Sequence, residues 1–301
     1  MVNNMKNNYL YTPMPEMHNE MIPVTIGCSY SKCLFCDLNM GRKFYIYPLE
    51  EIKSYIKNRK EYYKDKRIVP KKFNLLEGNP LSLDTDFLEK VLETINEKFD
   101  IKYISMFART IDIMNKSDQE LLRLKDLKMD RLSIGIESGS DEVLNYHRKG
   151  IDSKGQLEAL RRLESLGIDY STYIMLGLGG KKWSLVHAEK TAEFLNKLNP
   201  FEVVLVTTVV FKGAALVEEV RNGNFQRLRV RETLTEERDL IGKLELNTIL
   251  NASHKTNSLP LRGKLPEHKD LLIKKINEHL ELSDRELLAA ERKKWNIWDW
   301  E

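Results

Sequence analysis

The chain is poor in cysteine: its 301 residues contain three, all within Cys28–Cys36. Three cannot pair off completely, and so tight a run is no disulfide framework. Long apolar runs are also missing, and nothing approaches the ~20 residues that span a bilayer. The opening residues, MVNNMKNNYLYTPMPEM, lack the apolar stretch of a secretory signal. Reduced cysteines and no export signal lead to the expectation of a cytoplasmic protein with no membrane partner. Charge of one sign is lacking too. Lys and Arg number 48 against 45 Asp and Glu, a net +3 that singles out no polyanionic partner. The longest basic stretch, 58–72, is interrupted by Glu61 and Asp65. It reads as a solvated helix face and the loop after it rather than a nucleic-acid surface. What remains is 42% hydrophobic, enough for one large barrel-type domain or two modest ones.

The three cysteines follow a C-x4-C-x2-C spacing in Gly27-Cys28-Ser29-Tyr30-Ser31-Lys32-Cys33-Leu34-Phe35-Cys36. Three convergent thiolates hold three irons of a cubane and leave the fourth iron without a protein ligand. A zinc ion completed by His18 is the alternative, although the paired knuckles of structural zinc do not follow.

From Met21 onward a short apolar run, a polar turn and an amphipathic helix repeat. The runs are Ile22–Ile26, Phe73–Leu76, Tyr103–Ala108, Arg131–Glu137, Asp169–Leu176 and Val203–Val210. Between them lie helical patterns, such as Phe87, Val91, Leu92, Ile95 and Phe99 at helical spacing, the capping box Ser117-x-x-Glu120, or a helix expected over Ser184–Leu198. Strands alternating with helices predict right-handed βαβ units and a parallel sheet. In the fourth strand Leu132, Ile134 and Ile136 share one face, and Ser133, Gly135 and Glu137 the other. That polar face suits a lumen, so the fold expected is α/β, a partial (β/α)6 TIM-like barrel with a helical C-terminal extension. The boundaries expected are an N-terminal arm at 1–20, the barrel core at 21–215 and a covering extension at 216–301. Within the extension, helices are expected over Thr235–Leu246 and Glu267–Leu282, a loop over Asn251–Pro266, and a last helix into Trp295, Trp298 and Trp300.

The cysteine loop after the first strand, with Phe35 before the third cysteine, resembles that of the radical S-adenosylmethionine (radical SAM) superfamily. Three further segments match in order: Glu77-Gly78-Asn79-Pro80, Gly135-Ile136-Glu137-Ser138-Gly139-Ser140, and Ile174-Met175-Leu176-Gly177-Leu178-Gly179-Gly180. From Met21 to Leu282 the chain is similar to short coproporphyrinogen-oxidase-like members, echoed again in Asn257-Ser258-Leu259-Pro260. The resemblance implies a 4Fe-4S cluster on Cys28, Cys33 and Cys36. It implies SAM contacts from Phe35, Glu77, Gly78, Asn79, Glu137, Ser138, Ile174 and Gly177. It also implies reductive SAM cleavage to a 5′-deoxyadenosyl radical, and a low-potential electron donor of the flavodoxin or ferredoxin type. Glu77, Gly78 and Asn79 correspond to the segment that meets the SAM amino group, Glu137 and Ser138 to the ribose segment, and Ile174 and Gly177 to the adenine segment.

Candidates for substrate contact come from strand parity. Ser105 and Arg109 share a face of the third strand, and Tyr173 lies on the fifth. No residue is assigned as general acid or base. Two other classes remain beside the enzyme: a metal-stabilised module that binds RNA or protein without catalysis, and a heme or cluster carrier.

Overall fold

The computed structural model describes residues 16–37 and 43–295, with backbone alone for 290–295. The first fifteen residues of the expected N-terminal arm lie outside the described residues, as do Trp298 and Trp300 and the side chain of Trp295. Eight strands form one open, mostly parallel sheet in the order β1-β4-β5-β6-β7-β8-β9-β10. Their spans are β1 Glu20–Pro23, β4 Lys72–Leu76, β5 Tyr103–Ala108, β6 Met129–Glu137, β7 Asp169–Leu176, β8 Glu202–Thr207, β9 Thr248–Asn251 and β10 Arg262–Leu265. Separately, β2 (Thr25–Ile26) pairs antiparallel with β3 (Tyr45–Ile46). The six expected strands are therefore present, and two more follow them. β9 runs parallel to β8, and β10 antiparallel to β9. The expectation of a loop over Asn251–Pro266 is corrected accordingly, and two short strands join the helices of the extension. β10 is Arg-Gly-Lys-Leu, with Gly263 and Leu265 buried and Arg262 and Lys264 exposed. Its alternation is too short and too charged to stand out from a loop.

Contacts divide the chain into two compact units. One takes in 16–31, 43–135 and 158–171 of the described residues, and the other 32–37, 136–157 and 172–295.

In the first unit, the sequence pattern builds the elements as follows. α1 (Leu49–Tyr63) contains much of the basic stretch, and its Arg59 is tied to the carboxylate of Glu20. α2 (Thr85–Lys98) starts where the Asp84 side chain accepts the Phe87 N–H, and it buries Leu88, Val91, Leu92 and Ile95. Each such burial contributes about 1.5–3 kcal/mol. α3 (Thr110–Met114) follows β5, and α4 (Asp118–Asp126) begins at the expected Ser117–Glu120 capping box. Along the sheet, Ile104, Met106, Leu132 and Ile134 are fully buried on one face. Ser105 pairs with Arg131 and Phe107 with Ser133 on the other. That second face is sealed at its amino end. Fully buried Glu16 accepts the Tyr103 hydroxyl at 2.8 Å and the Arg131 guanidinium at 3.4 Å. Toward the strand ends, Phe107, Arg109 and Gly135 are half-buried, so this face opens where the polar turns lie.

The second unit holds α5 (Asp141–Tyr146) and the start of α6 (Ser153–Leu166), whose residues from 158 onward belong to the first, and the chain breaks between the two helices at Gly150, whose φ of +80° needs a glycine. α7 (Gly180–Leu195) starts four residues earlier than expected, directly at the glycine cluster. α8 (Leu216–Arg221), α9 (Val230–Lys243), α10 (Lys269–Leu280) and α11 (Asp284–Trp295) complete the chain. Their core includes Val203, Val204, Leu205, Leu240, Ile241, Leu250, Leu272 and Ile276, all at most 1% exposed. No helix among the described residues is long and apolar enough to cross a membrane.

Candidate functional site

In the first unit, the tract around the first cysteine is held by residues fifty positions downstream. β1 and β4 lie side by side and parallel, so the loop after each emerges at the same end. The buried Glu77 carboxylate accepts the Gly27 N–H at 2.6 Å. Asn79, also fully buried, accepts the Ser29 N–H at 3.1 Å and donates its amide to the Ser29 hydroxyl at 2.8 Å. Between them Gly78 admits no side chain. A Cβ there would meet the Gly27 carbonyl at 2.6 Å and Cys28 Cβ at 2.9 Å. The Asn79 amide also donates to Asp112 Oδ2 at 3.1 Å, which in turn accepts the Arg109 N–H at 2.9 Å. Burial holds the Asp112 carboxyl above its ordinary range, against the opposing pull of those two donors. The Arg109 guanidinium stacks 3.7 Å from the centre of the Tyr30 ring. Ser31 donates its hydroxyl to the Cys28 carbonyl at 2.7 Å.

In the second unit, the tract around the other two cysteines is anchored differently. Leu34 donates its N–H to the His147 carbonyl and accepts the Leu216 N–H through its own carbonyl, at 3.1 and 2.7 Å. Leu34 and Phe35 join Val143, Leu178, Leu216 and Phe225 in one apolar cluster, with Cys33 and Cys36 packed against it. Phe35 meets the His147 ring edge-on at 5.7 Å. Burial lowers the His147 imidazole to about 4, so it is neutral, and its Nε2–H donates to the Leu178 carbonyl at 2.8 Å. None of the three cysteines forms a disulfide, and each is half-buried.

Also in that unit, β6 ends at Glu137 with φ +67°, a left-handed conformation uncommon outside glycine. The Lys149 ammonium donates to Glu137 Oε1 at 2.9 Å, and both side chains are largely enclosed. Ser138 is fully buried and its hydroxyl bonds His187 Nδ1 at 2.8 Å. At Gly139 a Cβ would meet the Lys190 carbonyl at 2.4 Å, so α7 presses directly on this turn. The Gly177 N–H donates to Glu236 Oε1 at 2.6 Å, and the Ser184 hydroxyl bonds the other oxygen of that carboxyl. Burial pushes the Glu236 carboxyl up to about 7 and the His187 imidazole down to about 4.

The sequence-derived candidates are therefore distributed as follows. Glu77, Gly78 and Asn79 gather at the Cys28 tract, and their side chains engage that tract. Arg109 joins them through Tyr30 and Asp112. Glu137 sits on Lys149, while Ser138 and Gly177 are tied to His187 and Glu236. Ile174 is fully buried, and Tyr173 is half-buried beside it in the strand. Ser105 is fully buried and gives its hydroxyl to Asn74 Oδ1 at 2.8 Å, within the sealed part of the face. Asp112, His147, His187 and Glu236 carried no signal in the sequence. Each acts on a motif far along the chain, and Asp112, which holds the Asn79 amide, also accepts the Arg109 N–H three residues before it.

The donor chemistry fits an iron–sulfur cluster. One nine-residue loop carries three thiols, and its intervening positions hold no imidazole or carboxylate. Among the described residues, no group of three or more His, Cys, Asp or Glu side chains is closed around an ion position.

Comparisons with known proteins agree with this chemistry. The profile of the radical SAM superfamily matches residues 22–195. The chain belongs to the radical SAM superfamily. Among solved structures, it resembles Elp3 from the archaeon Methanocaldococcus infernus, with its N-terminus deleted, at TM-score 0.55 and 16% identity. That likeness covers 86% of this chain and 63% of the other. Methylornithine synthase (PylB) aligns at TM-score 0.52 and 17% identity, over 90% and 85% of the two chains. Coproporphyrinogen III oxidase (HemN) from Escherichia coli aligns at 0.54 and 14%, over 75% and 50%. This chain thus spans less than two thirds of the Elp3 chain and half of the HemN chain. The open, mostly parallel sheet is the partial TIM barrel of these neighbours. No curated protein matches the sequence.

Proposed function

We propose that this protein is a radical SAM enzyme, with Cys28, Cys33 and Cys36 as the three protein ligands of a 4Fe-4S cluster. Such a cluster would supply the one electron that cleaves S-adenosylmethionine to methionine and a 5′-deoxyadenosyl radical, and that radical would take a hydrogen atom from a substrate yet to be identified. The observation that carries this reading is the gathering of all three cysteines into one short loop inside the segment that matches the superfamily. The chain's own part is to hold three deprotonated sulfurs and to position SAM. Glu137 offers a carboxylate fixed by Lys149 to the ribose hydroxyls, and the backbone of the 174–177 segment flanks the adenine. Phe35 lies between the second and third cysteines and presents its backbone near that base. Half-buried Arg109 and Tyr173 remain the substrate-facing candidates. Arg109 is suited to an anionic group, although its stacking on Tyr30 limits its reach. An electron donor of the flavodoxin or ferredoxin type supplies the reductant, and the chain works in the cytoplasm.

The test is anaerobic reconstitution followed by metal analysis and incubation with SAM and dithionite. A complete cluster gives about four irons and four sulfides per chain, and 5′-deoxyadenosine accumulates. Cys33→Ala loses both while keeping a cooperative melt, since the apolar interior carries the stability. A wild-type preparation that binds a single zinc and leaves SAM intact overturns the proposal.

A further inference from the structure

Glu77 and Asn79 occupy the segment that the superfamily resemblance assigns to the SAM amino group. Their side chains are nonetheless turned to the backbone on either side of Cys28. Glu77 takes the N–H before it and Asn79 the N–H after it. Gly27 has φ +73° and Ser31 φ +53°, so the tract 27–31 enters and leaves through two left-handed residues. Glycine takes such a φ freely, but Ser31 does not hold it unless its surroundings fix it. The surroundings here are specific. Asp112 holds the Asn79 amide, and the Arg109 guanidinium covers Tyr30. A buried carboxylate is costly without donors, and the Gly27 N–H is one that Glu77 receives.

We propose that Glu77, Asn79, Asp112 and Arg109 form a latch that sets the conformation of Gly27–Ser31 before any cluster arrives. This deepens the radical SAM reading by assigning four positioning residues to the first cysteine alone. Cys33 and Cys36 depend on a different set of contacts, through Leu34, Phe35 and His147. Cys28 is thus the pre-organised ligand, whose ordering entropy is met during folding rather than on cluster binding. Arg109 is drawn into this role by its ring contact, whatever it also does toward a substrate.

The test uses apo-protein and hydrogen exchange at the Gly27 and Ser29 amides. In Glu77→Ala the Gly27 amide exchanges roughly tenfold faster, and in Asn79→Ala the Ser29 amide does so, because each loses its acceptor. The increase is confined to 27–31, whereas general destabilisation raises exchange across the sheet. Glu77→Gln keeps a side-chain acceptor and restores wild-type exchange. Arg109→Lys keeps the charge but loses the planar stack, and accelerates the same tract less strongly. Under limiting iron and sulfide the two alanine variants also load more slowly than wild type. Unchanged exchange at both amides in the alanine variants overturns the latch, and an increase accompanied by normal loading kinetics overturns its part in cluster loading. If wild type itself accepts no iron–sulfur cluster, the cofactor reading falls, and the exchange measurement still decides whether the latch exists.

Discussion

Glu137 stands at the last position of β6 with a positive φ, which costs a non-glycine residue about 1–2 kcal/mol. The conformation swings its carboxylate onto Lys149, at 2.9 Å and with 12% and 6% of the two side chains exposed. A pair this enclosed is expensive to break from one side, because the survivor is left charged in a dry place. Lys149→Met should therefore lower the unfolding free energy by about 3 kcal/mol in a denaturant titration. Adding Glu137→Gln to that variant should recover much of the loss, since no lone charge remains. A Lys149→Met protein as stable as wild type, or a double variant weaker than the single one, removes the pair from the stability account. Other residues at this scale were plain in the sequence by type and silent in their use. The Glu-Gly-Asn run was legible as a motif. That its side chains reach back to Gly27 and Ser29 depends on β1 and β4 being neighbours, which no local pattern states.

At the scale of elements, α7 and α9 bring His187 and Glu236 into one buried network with the turn after β6 and the end of β7. His187 Nε2 lies 3.8 Å from Glu236 Oε1. Burial keeps the imidazole uncharged at neutral pH, so this contact is not an ion pair there. The two groups bend the pH profile in opposite senses. The Glu236 carboxyl is raised from 4.5 to about 7, so its folded form binds protons first. Its penalty is full above pH 7 and fades as pH falls toward 4.5. His187 is lowered from 6.5 to about 4, so its contribution is full above 6.5 and is lost as pH falls through 4. Between 4.5 and 6.5 the two slopes oppose each other. Glu236→Gln deletes only the first, and the variant should lose stability on acidification more steeply than wild type. The difference accumulates to at most about 3 kcal/mol across that window. Denaturant midpoints at half-unit pH steps check it, and parallel profiles for the two proteins contradict it. The elements themselves were mostly legible. Six strands and the capping boxes follow from periodicity and end signals. β9 and β10 escaped because each has four residues, and β10 carries alternate charges on an edge, where charged residues discourage further pairing. The early start of α7 escaped because Gly179 and Gly180 read as a turn, while Gly180 in fact opens the helix with φ +54°.

For the molecule as a whole, the sequence suggests a core at 21–215 with a covering extension at 216–301. The sheet argues that the second part is structural. β9 pairs with β8 from Glu202↔Ile249 to Val204↔Asn251, and β10 continues outward from it. Asn257 then fastens the following loop to β8. Its oxygen accepts the Thr207 N–H at 2.7 Å and its amide donates to the Leu205 and Ala252 carbonyls, each at 2.8 Å. Val203, Val204 and Leu205 have no exposed surface in this setting. A chain ending at Ala215 would leave β8 as a bare hydrophobic edge, with its backbone donors and acceptors unpaired and open to pairing with another copy. It would also uncover side chains worth about 1.5–3 kcal/mol each. We therefore expect residues 1–215 alone to aggregate or to elute as large species in size-exclusion chromatography. The full chain should elute as a defined species with a cooperative melt under the same conditions. If 1–215 instead runs as a folded monomer and still loads iron and sulfide, β9 and β10 are ornament, and the barrel core is autonomous.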